Sequence, residues 1–539
     1  MSKVFERVVH NKVYSYLDSN NLLTPRNSGF KKGDGTTSQL ISITDKIYKA
    51  LDSKSEVRMV CLDLSKAFDR VWHKGLLFKL KQQGITGPLL LWFESYLQDR
   101  KQKVIINGQQ SEWLPVEAGV PQGSILGPLL FLVFINDVTE NIKSDINLFA
   151  DDTSLLEIVR NRQESVTTLN NDLITIHNWA CQWLMIYNIE KTLSITFSLK
   201  PNPIPQPPLT FNDRPVSEVT ELCHLGLTLC SNMKWNQHIS NIRNRAGNRN
   251  NILRKLKFRL PRQTLEKLYI QMIRPILEYC DVIFDGCGTV QSQKLESIQY
   301  DAARTSLGAL TTTSRRSLLE ETGWETLFDR RKSHKMIFYY KIMNNLVPDY
   351  LIQLRPPTVA AASRYNLRNA NNQSTIAART TRYKDSYMLS STALWNSLPI
   401  QLRNTPTLNT FKRRLISHFS TKTAPPSWFF LGSRHANILH TRLRLDNPSL
   451  NCHLFKYGMS DTCACNCGHP TESTKHFVLE CPDFAAPRDT MLAAIRDVIA
   501  PGTHPRFLVD LDPNYLLTII LRGSTELSYQ DNSTIFSAV

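Results

Sequence analysis

An α+β fold is what this 539-residue sequence predicts, on three observations. A β-rich apolar run at residues 57–63 ends in the carboxylate of Asp63. Two shorter strand-like runs, 146–150 and 153–156, leave Asp151 and Asp152 at the tip between them. Beyond about residue 230, and through roughly Asp349, the pattern turns to helices rich in Leu, Arg and Lys. Short apolar runs bounded by polar residues read as strands, and an apolar repeat near 3.6 residues reads as helix.

The elements follow in order. Phe5, Val9, Val13 and Leu17 recur at helical spacing, which predicts a helix at the start. Residues 24–35 are rich in Gly and polar side chains and read as a loop, and 38–51 are periodic again. The run 57–63 reads as a buried strand. In 69–83, Val71, Leu76, Leu77 and Leu80 give a helix with Gly84 as its C-cap. Residues 103–107 and 111–116 flank Asn107-Gly108, a hairpin signal because both residues tolerate the positive φ of a tight turn. Pro356-Pro357 with the small residues 360–363, and 423–427 with Pro425-Pro426, read as linkers. No repeat of solenoid period is present.

Apolar content of 42% with 21% charged residues is ordinary for globular protein, and the length suits roughly three or four domains. The balance is basic: 64 Lys plus Arg against 47 Asp plus Glu, formally +17, which favours a polyanionic partner. The excess is concentrated. Residues 240–262 hold Arg243, Arg245, Arg249, Arg254, Lys255, Lys257, Arg259 and Arg262 with no acid, and between Asp349 and Asp446 the only acid is Asp385. Solvated faces mostly mix signs, so these stretches read as phosphate tracks, with a plain solvated helix as the alternative.

Charges in Met1-Ser2-Lys3-Val4-Phe5-Glu6-Arg7 interrupt any signal-peptide core. The most apolar window, 125–135, contains Gly127 and Pro128 and is shorter than the ~20 residues of a membrane span. No membrane role is expected. Eleven cysteines without an export signal fit a reduced setting, the nucleus or cytoplasm.

Three segments carry the chemistry: Cys61-Leu62-Asp63-Leu64-Ser65-Lys66-Ala67-Phe68-Asp69, Gly119-Val120-Pro121-Gln122-Gly123-Ser124, and Phe149-Ala150-Asp151-Asp152. The first and third put carboxylates at the ends of apolar strands, where hard oxygen ligands on rigid backbone suit paired Mg²⁺ ions. As an ordered set they resemble the reverse transcriptases of non-LTR retrotransposons, the LINE or jockey-like type. The resemblance spans residues 1–229 and continues, less specifically, to about Pro482. It implies a right-hand polymerase palm and fingers that add dNTPs to the 3′-end of a DNA primer on an RNA template, with two Mg²⁺ ions.

The resemblance also implies roles. Asp63 and Asp151 would bridge the metals, Asp152 would stand at the edge of the site, and the Leu64 carbonyl would be an extra ligand. Phe68 would exclude a ribose 2′-hydroxyl and so select dNTPs; a core aromatic is its alternative. Gln122 would hydrogen-bond near the template base, and Gly123 would let the backbone approach the nucleotide. In Asn188-Ile189-Glu190-Lys191-Thr192, Lys191 would protonate the leaving pyrophosphate, or is a surface lysine. His224-Leu225-Gly226 resembles the loop that grips the primer end. Gly29-Phe30-Lys31 resembles a fingers motif touching template and incoming phosphates. There Lys31 stands where the family more often has Arg, keeping the charge but losing the bidentate fork. Residues 2–7 resemble the latter half of the first fingers motif. The half before it and an endonuclease are absent from this chain, so the resemblance implies N-terminal truncation. Two rival readings are a decayed or co-opted fragment that binds RNA without polymerising, and a group II intron maturase or telomerase-like enzyme.

Downstream, the expected divisions are a helical thumb-like region at 230–349, a basic linker and nucleic-acid-binding extension at 350–440, a zinc-knuckle-like module at 441–499, and a tail at 500–539. The run 240–262 would track duplex phosphates without reading bases. Trp395-Asn396-Ser397-Leu398-Pro399, with Tyr383, Tyr387, Phe411 and Lys412-Arg413-Arg414 around it, suggests nucleic-acid contact. Cys465, Cys467, His476 and Cys481 resemble the ligand set of a structural Zn²⁺, with Gly468 turning the chain around the ion. Cys463 is an alternative partner for Cys467, and reduced cysteines in a small core are the alternative to a metal.

Overall fold

The computed structural model describes residues 2–362, 369–419, 424–446, 448–499 and 512–539. Ser363 and Thr423 of the expected linkers, and 500–511 of the expected tail, lie outside them. The chain divides into two units. One is Met1–His238, Val282–Cys287 and Lys335–Phe411; the other is Ile239–Asp281, Gly288–His334 and Lys412–Val539.

The first unit opens with helices α1 (Ser2–Ser19) and α2 (Thr36–Asp52), then strand β1 (Glu56–Leu64). After α3 (His73–Gln82), α4 (Gly87–Leu97) and α5 (Leu126–Ile135) come strands β2 (Asp145–Phe149) and β3 (Asp152–Val159). Helix α6 (Arg162–Gln182) and strands β4 (Tyr187–Phe197) and β5 (Ser217–Val219) follow. The sheet order is β5-β4-β1-β3-β2, antiparallel except where β5 runs parallel to β4. β1 lies in the middle with a partner on each edge, which explains its nearly continuous burial.

Helix α5 settles the fate of the most apolar window. Nine of its residues, all but Pro128, are buried, and it packs into the core with Leu62, Leu64, Leu148 and Leu155 of the sheet. Burial of each large side chain contributes about 1.5–3 kcal/mol, so this helix is the hydrophobic keel of the sheet. Among the described residues no helix is long and apolar enough to cross a membrane.

Several local expectations shift. The expected helix 69–83 is broken: Ala67–Asp69 is a single 3₁₀ turn and α3 starts at His73. The expected hairpin forms at Asn107-Gly108, both at positive φ, with Ile105–Ile106 pairing Gln109–Gln110 beside the turn and Lys101–Gln102 pairing Leu114–Pro115 further out. Ala150 belongs to the turn and Asp152 to β3, one residue away from the expected strand ends.

The expected nucleic-acid aromatics are core residues instead. Tyr383, Tyr387, Trp395 and Phe411 are at most 4% exposed. Phe411 stacks on Tyr340 with centroids 4.3 Å apart, and Trp395 packs 5.5 Å from Tyr339. Rings enclosed in this way cannot stack on bases. The same stretch is tied to α2: Thr380 donates through N and Oγ1 to Asp52 Oδ1 at 2.7 and 2.8 Å, and Arg379 donates to the Asp52 and Leu51 carbonyls. The 350–411 segment therefore stabilises the end of α2, where orphan carbonyls need donors.

In the second unit, α7 (Asn236–Leu256) is followed by α8 (Thr289–Leu307) and α9 (Arg434–Arg444). A buried ion network holds it: Arg262 pairs with Glu266 and Glu321 at 2.8 Å, and Arg444 with Glu321 at 2.6 Å. Helices α10 (Ala485–Ile499), α11 (Pro513–Arg522) and α12 (Tyr529–Ala538) bring Met491, Ile495, Ile519, Ile520 and Ile535 into one apolar cluster with Val478. Residues 512–539 are thus packed helices rather than the expected tail.

Candidate active site and metal centre

Asp63, Asp151 and Asp152 converge at one end of the central strands. The β1–β3 ladder runs to Leu62↔Thr153, so the next residue outward on β1 is Asp63 and on β3 is Asp152. A register shift between Cys61 and Asp63 against β4 marks a bulge, a feature that re-aims a side chain. Phe149 pairs with Asp152, leaving Ala150 and Asp151 as a two-residue turn. The three carboxylates act on one another. Asp152 is pushed up to about 6, first by desolvation and then by the charges of Asp151 and Asp63. Asp151 is raised chiefly by desolvation, with Asp63 adding to it. Carboxylates crowded together without a cation repel, and divalent cations with oxygen preference match that donor set.

The Asp151 turn is strained and held from outside. Ala150 has φ +56°, a left-handed conformation that costs an alanine about 1–2 kcal/mol. The loop before α2 compensates. Asn27 is buried, and its Oδ1 accepts from Gly29 N at 2.9 Å and from Ala150 N at 3.2 Å. Ser28 N donates to the Leu148 carbonyl and Leu148 N to the Arg26 carbonyl, both at 2.9 Å, so this loop lies along β2 like an added strand. A Cβ at Gly29 would stand 2.4 Å from Ala150 N, so only glycine permits the approach. The sequence motif Gly29-Phe30-Lys31 marked the glycine; Asn27 carried no local signal.

The other expected residues distribute around this end. Lys191 Nζ is 3.4 Å from Asp63 Oδ2, with its side chain 66% exposed. Phe68 is half-buried, stacked on Phe131 at 4.5 Å and edge-on to Phe30 at 6.1 Å. Val120 N donates to the Phe68 carbonyl and Gly119 N to that of Val71, both at 2.8 Å, which ties the second motif to the first. Gln122 is exposed and spends its Nε2 on Asp69 Oδ1 at 2.8 Å. Gly123 has φ +77° and open space beside it. Lys31 is turned inward, donating to the Thr24 carbonyl at 2.5 Å, and burial lowers its pKa. His224 is buried with Nδ1 3.7 Å from Cys61 Sγ, and desolvation lowers it to about 4, so it is neutral.

In the second unit, ligand atoms of Cys465, Cys467, His476 and Cys481 lie within 4.8 Å of one another. Cys465 and Cys481 sulfurs are 3.7 Å apart, and Cys467 Sγ is 3.2 Å from His476 Nε2. Zn–S bonds of about 2.3 Å in a tetrahedron require sulfurs roughly 3.8 Å apart. This is a Cys/His group able to hold a metal, and Cys463 stands outside it.

A strand-end carboxylate cluster on an antiparallel sheet, seated on a helical layer, defines the class to which known proteins can be compared. Residues 1–229 match the family model for reverse transcriptase (RNA-dependent DNA polymerase). That stretch belongs to the reverse transcriptase family, of the kind carried by non-LTR retrotransposons. The probable RNA-directed DNA polymerase from transposon X-element of Drosophila melanogaster is 28% identical over 368 residues, covering 66% of this chain and 40% of that protein. The corresponding protein from transposon BS of the same organism is 29% identical, covering 56% and 35%. The RNA-directed DNA polymerase from mobile element jockey, also of Drosophila melanogaster, is 29% identical, covering 57% and 35%. The chain thus spans 35–40% of the length of these curated relatives.

Proposed function

We propose that this chain is an RNA-directed DNA polymerase that adds dNTPs to a primer 3′-end on an RNA template. The convergence of Asp63, Asp151 and Asp152 at one sheet end carries the reading. Asp63 and Asp151 would hold two Mg²⁺ ions, and Asp152 would tune the site from its edge. Bound there, Mg²⁺ supplies charge neutralisation for the triphosphate and activation of the 3′-hydroxyl. Lys191, beside Asp63, is positioned to pass a proton to the departing pyrophosphate. Phe68, wedged between Phe131 and Phe30, is a rigid wall against a 2′-hydroxyl. Gln122 and Gly123 form an open rim for the template base, and Lys31 reaches incoming phosphates once released from Thr24.

In this reading residues 1–229 are fingers and palm, 230–349 a thumb-like region whose basic run 240–262 follows duplex phosphates, 350–440 a basic extension, and 441–499 a zinc-knuckle-like module. Zn²⁺ on Cys465, Cys467, His476 and Cys481 would be structural, because four protein ligands leave no open position.

A primer-extension assay on an RNA template tests the reading. Wild type is expected to extend the primer with dNTPs and Mg²⁺, and Asp151→Ala is expected to give none. Equal extension by both removes the catalytic assignment of Asp151, and RNA binding with no extension by either favours the rival that this chain binds RNA without polymerising.

A further inference from the structure

Segments of the second unit far apart in sequence bring cations to one place. Arg434 donates through Nε to the Lys257 carbonyl at 2.9 Å and through Nη2 to the Thr305 carbonyl at 3.1 Å. Arg442 donates through Nε to the Gly308 carbonyl at 3.0 Å. These bonds lay α9 across the C-terminal end of α8 and the turn after α7. Gly308, at φ +68°, makes the crossing possible, since carbons of Ile438 lie 2.5–2.9 Å from where a Cβ would stand.

Lys257, Arg304, Arg434 and Arg442 therefore share one neighbourhood, each half-buried. Burial first, and then the charges of Arg442, Arg434 and Arg304, hold the Lys257 ammonium below its ordinary pKa. Acids nearby are already committed. Asp301 is bonded by Arg254 at 2.6 Å and by Asn250 Nδ2 at 2.6 Å. Glu266 and Glu321 are matched one for one by Arg262 and Arg444. The bland account, cations capping helix ends, covers Arg434 Nε, Arg434 Nη2 and Arg442 Nε. It leaves Arg434 Nη1 and Arg304 Nε, both buried and without a hydrogen-bond partner. Buried donors on like charges are costly until an anion meets them.

We propose that Lys257, Arg304, Arg434 and Arg442 form a phosphate-binding site that grips the backbone of a nucleic-acid strand. Planar guanidinium groups with unspent donors match phosphate oxygens, and a lysine point charge completes the cradle. Contacts to phosphate carry no base information, so the grip would be independent of sequence. The inference stands without polymerisation, because it is read by binding alone.

The test is fluorescence anisotropy of the full chain with a short labelled single-stranded RNA over a series of salt concentrations. Lys257→Gln/Arg304→Gln removes two cations whose side chains make no structural hydrogen bond. Arg316→Gln, an exposed arginine paired with Glu320 in the same unit, controls for simple loss of charge. The double variant is expected to bind at least several-fold more weakly at low salt, with the slope of log affinity against log salt reduced by about 1–1.5. The control is expected to stay within about twofold of wild type. A double variant indistinguishable from the control overturns the proposal. So does inorganic phosphate binding that depends on Lys257 and Arg304 while RNA binding does not, which would make this a site for free phosphate.

Discussion

The Lys191 ammonium lies 3.4 Å from the Asp63 carboxylate, an ion pair between neighbouring strands at the carboxylate end of the sheet. With the lysine two-thirds exposed, such a pair contributes at most about 1 kcal/mol, so its purpose is not stability. Lys191→Ala is expected to leave the unfolding free energy within about 0.5 kcal/mol. The rate of single nucleotide addition should fall about 100-fold with dNTP affinity little changed. Rapid-quench kinetics over a dNTP series would measure both, and an unchanged rate would make Lys191 a surface lysine.

Gly29→Ala is expected to displace the Asp151 turn. The new methyl would meet the backbone nitrogen of Ala150, which has no freedom to yield, so destabilisation of about 1–3 kcal/mol is expected. Asn27→Ala should act similarly by stranding the amides of Gly29 and Ala150. Urea unfolding gives the stability loss, and primer extension should fall in parallel.

Lys79 supplies a pH signature. Its ammonium is buried, bonded to the Phe134 carbonyl at 2.6 Å and to Asp137 at 2.5 Å, with the Trp183 ring 3.8 Å away. Burial, only partly offset by Asp137, lowers its pKa to about 8. The unfolded chain, with a pKa near 10.4, binds the proton more tightly over the interval between. The contribution of Lys79 to stability therefore rises with pH from about 8 to 10.4, by roughly 3 kcal/mol, and is level outside that window. In wild type minus Lys79→Met, unfolding free energies measured from pH 7 to 10 should show that slope; a flat difference would refute it.

Removal of metal should weaken the second unit. Chelation, or Cys481→Ser, is expected to lower its unfolding temperature and abolish bound zinc measured by elemental analysis. Cys463→Ser should do neither, because that thiol stands outside the ligand group. Equal loss in both variants would point to a different ligand set.

Much of this molecule was legible in the residues themselves. The buried strand before Asp63, the helical spacing of Val13 and Leu17, the turn at Asn107-Gly108 and the spacing of Cys465, Cys467, His476 and Cys481 are local signals, and local geometry answers to them. What escaped is long-range. Trp395 and Phe411 stand among basic residues and read as surface, yet the rings of Tyr339 and Tyr340 pack against them. Residues 512–539 read as a tail because their apolar partners, Val478 and Met491, lie earlier in the chain.

The order of residues is enough to say which side chains carry charge, sulfur and oxygen, and that Asp63 and Asp151 end apolar runs. Tertiary structure alone decided that Asn27 and Gly29 hold the turn at Ala150, and that Arg434 and Arg442 join Lys257 and Arg304. The physical reason is that periodicity records which face of an element seeks cover, whereas the identity of the cover depends on strand register and close approach between distant segments.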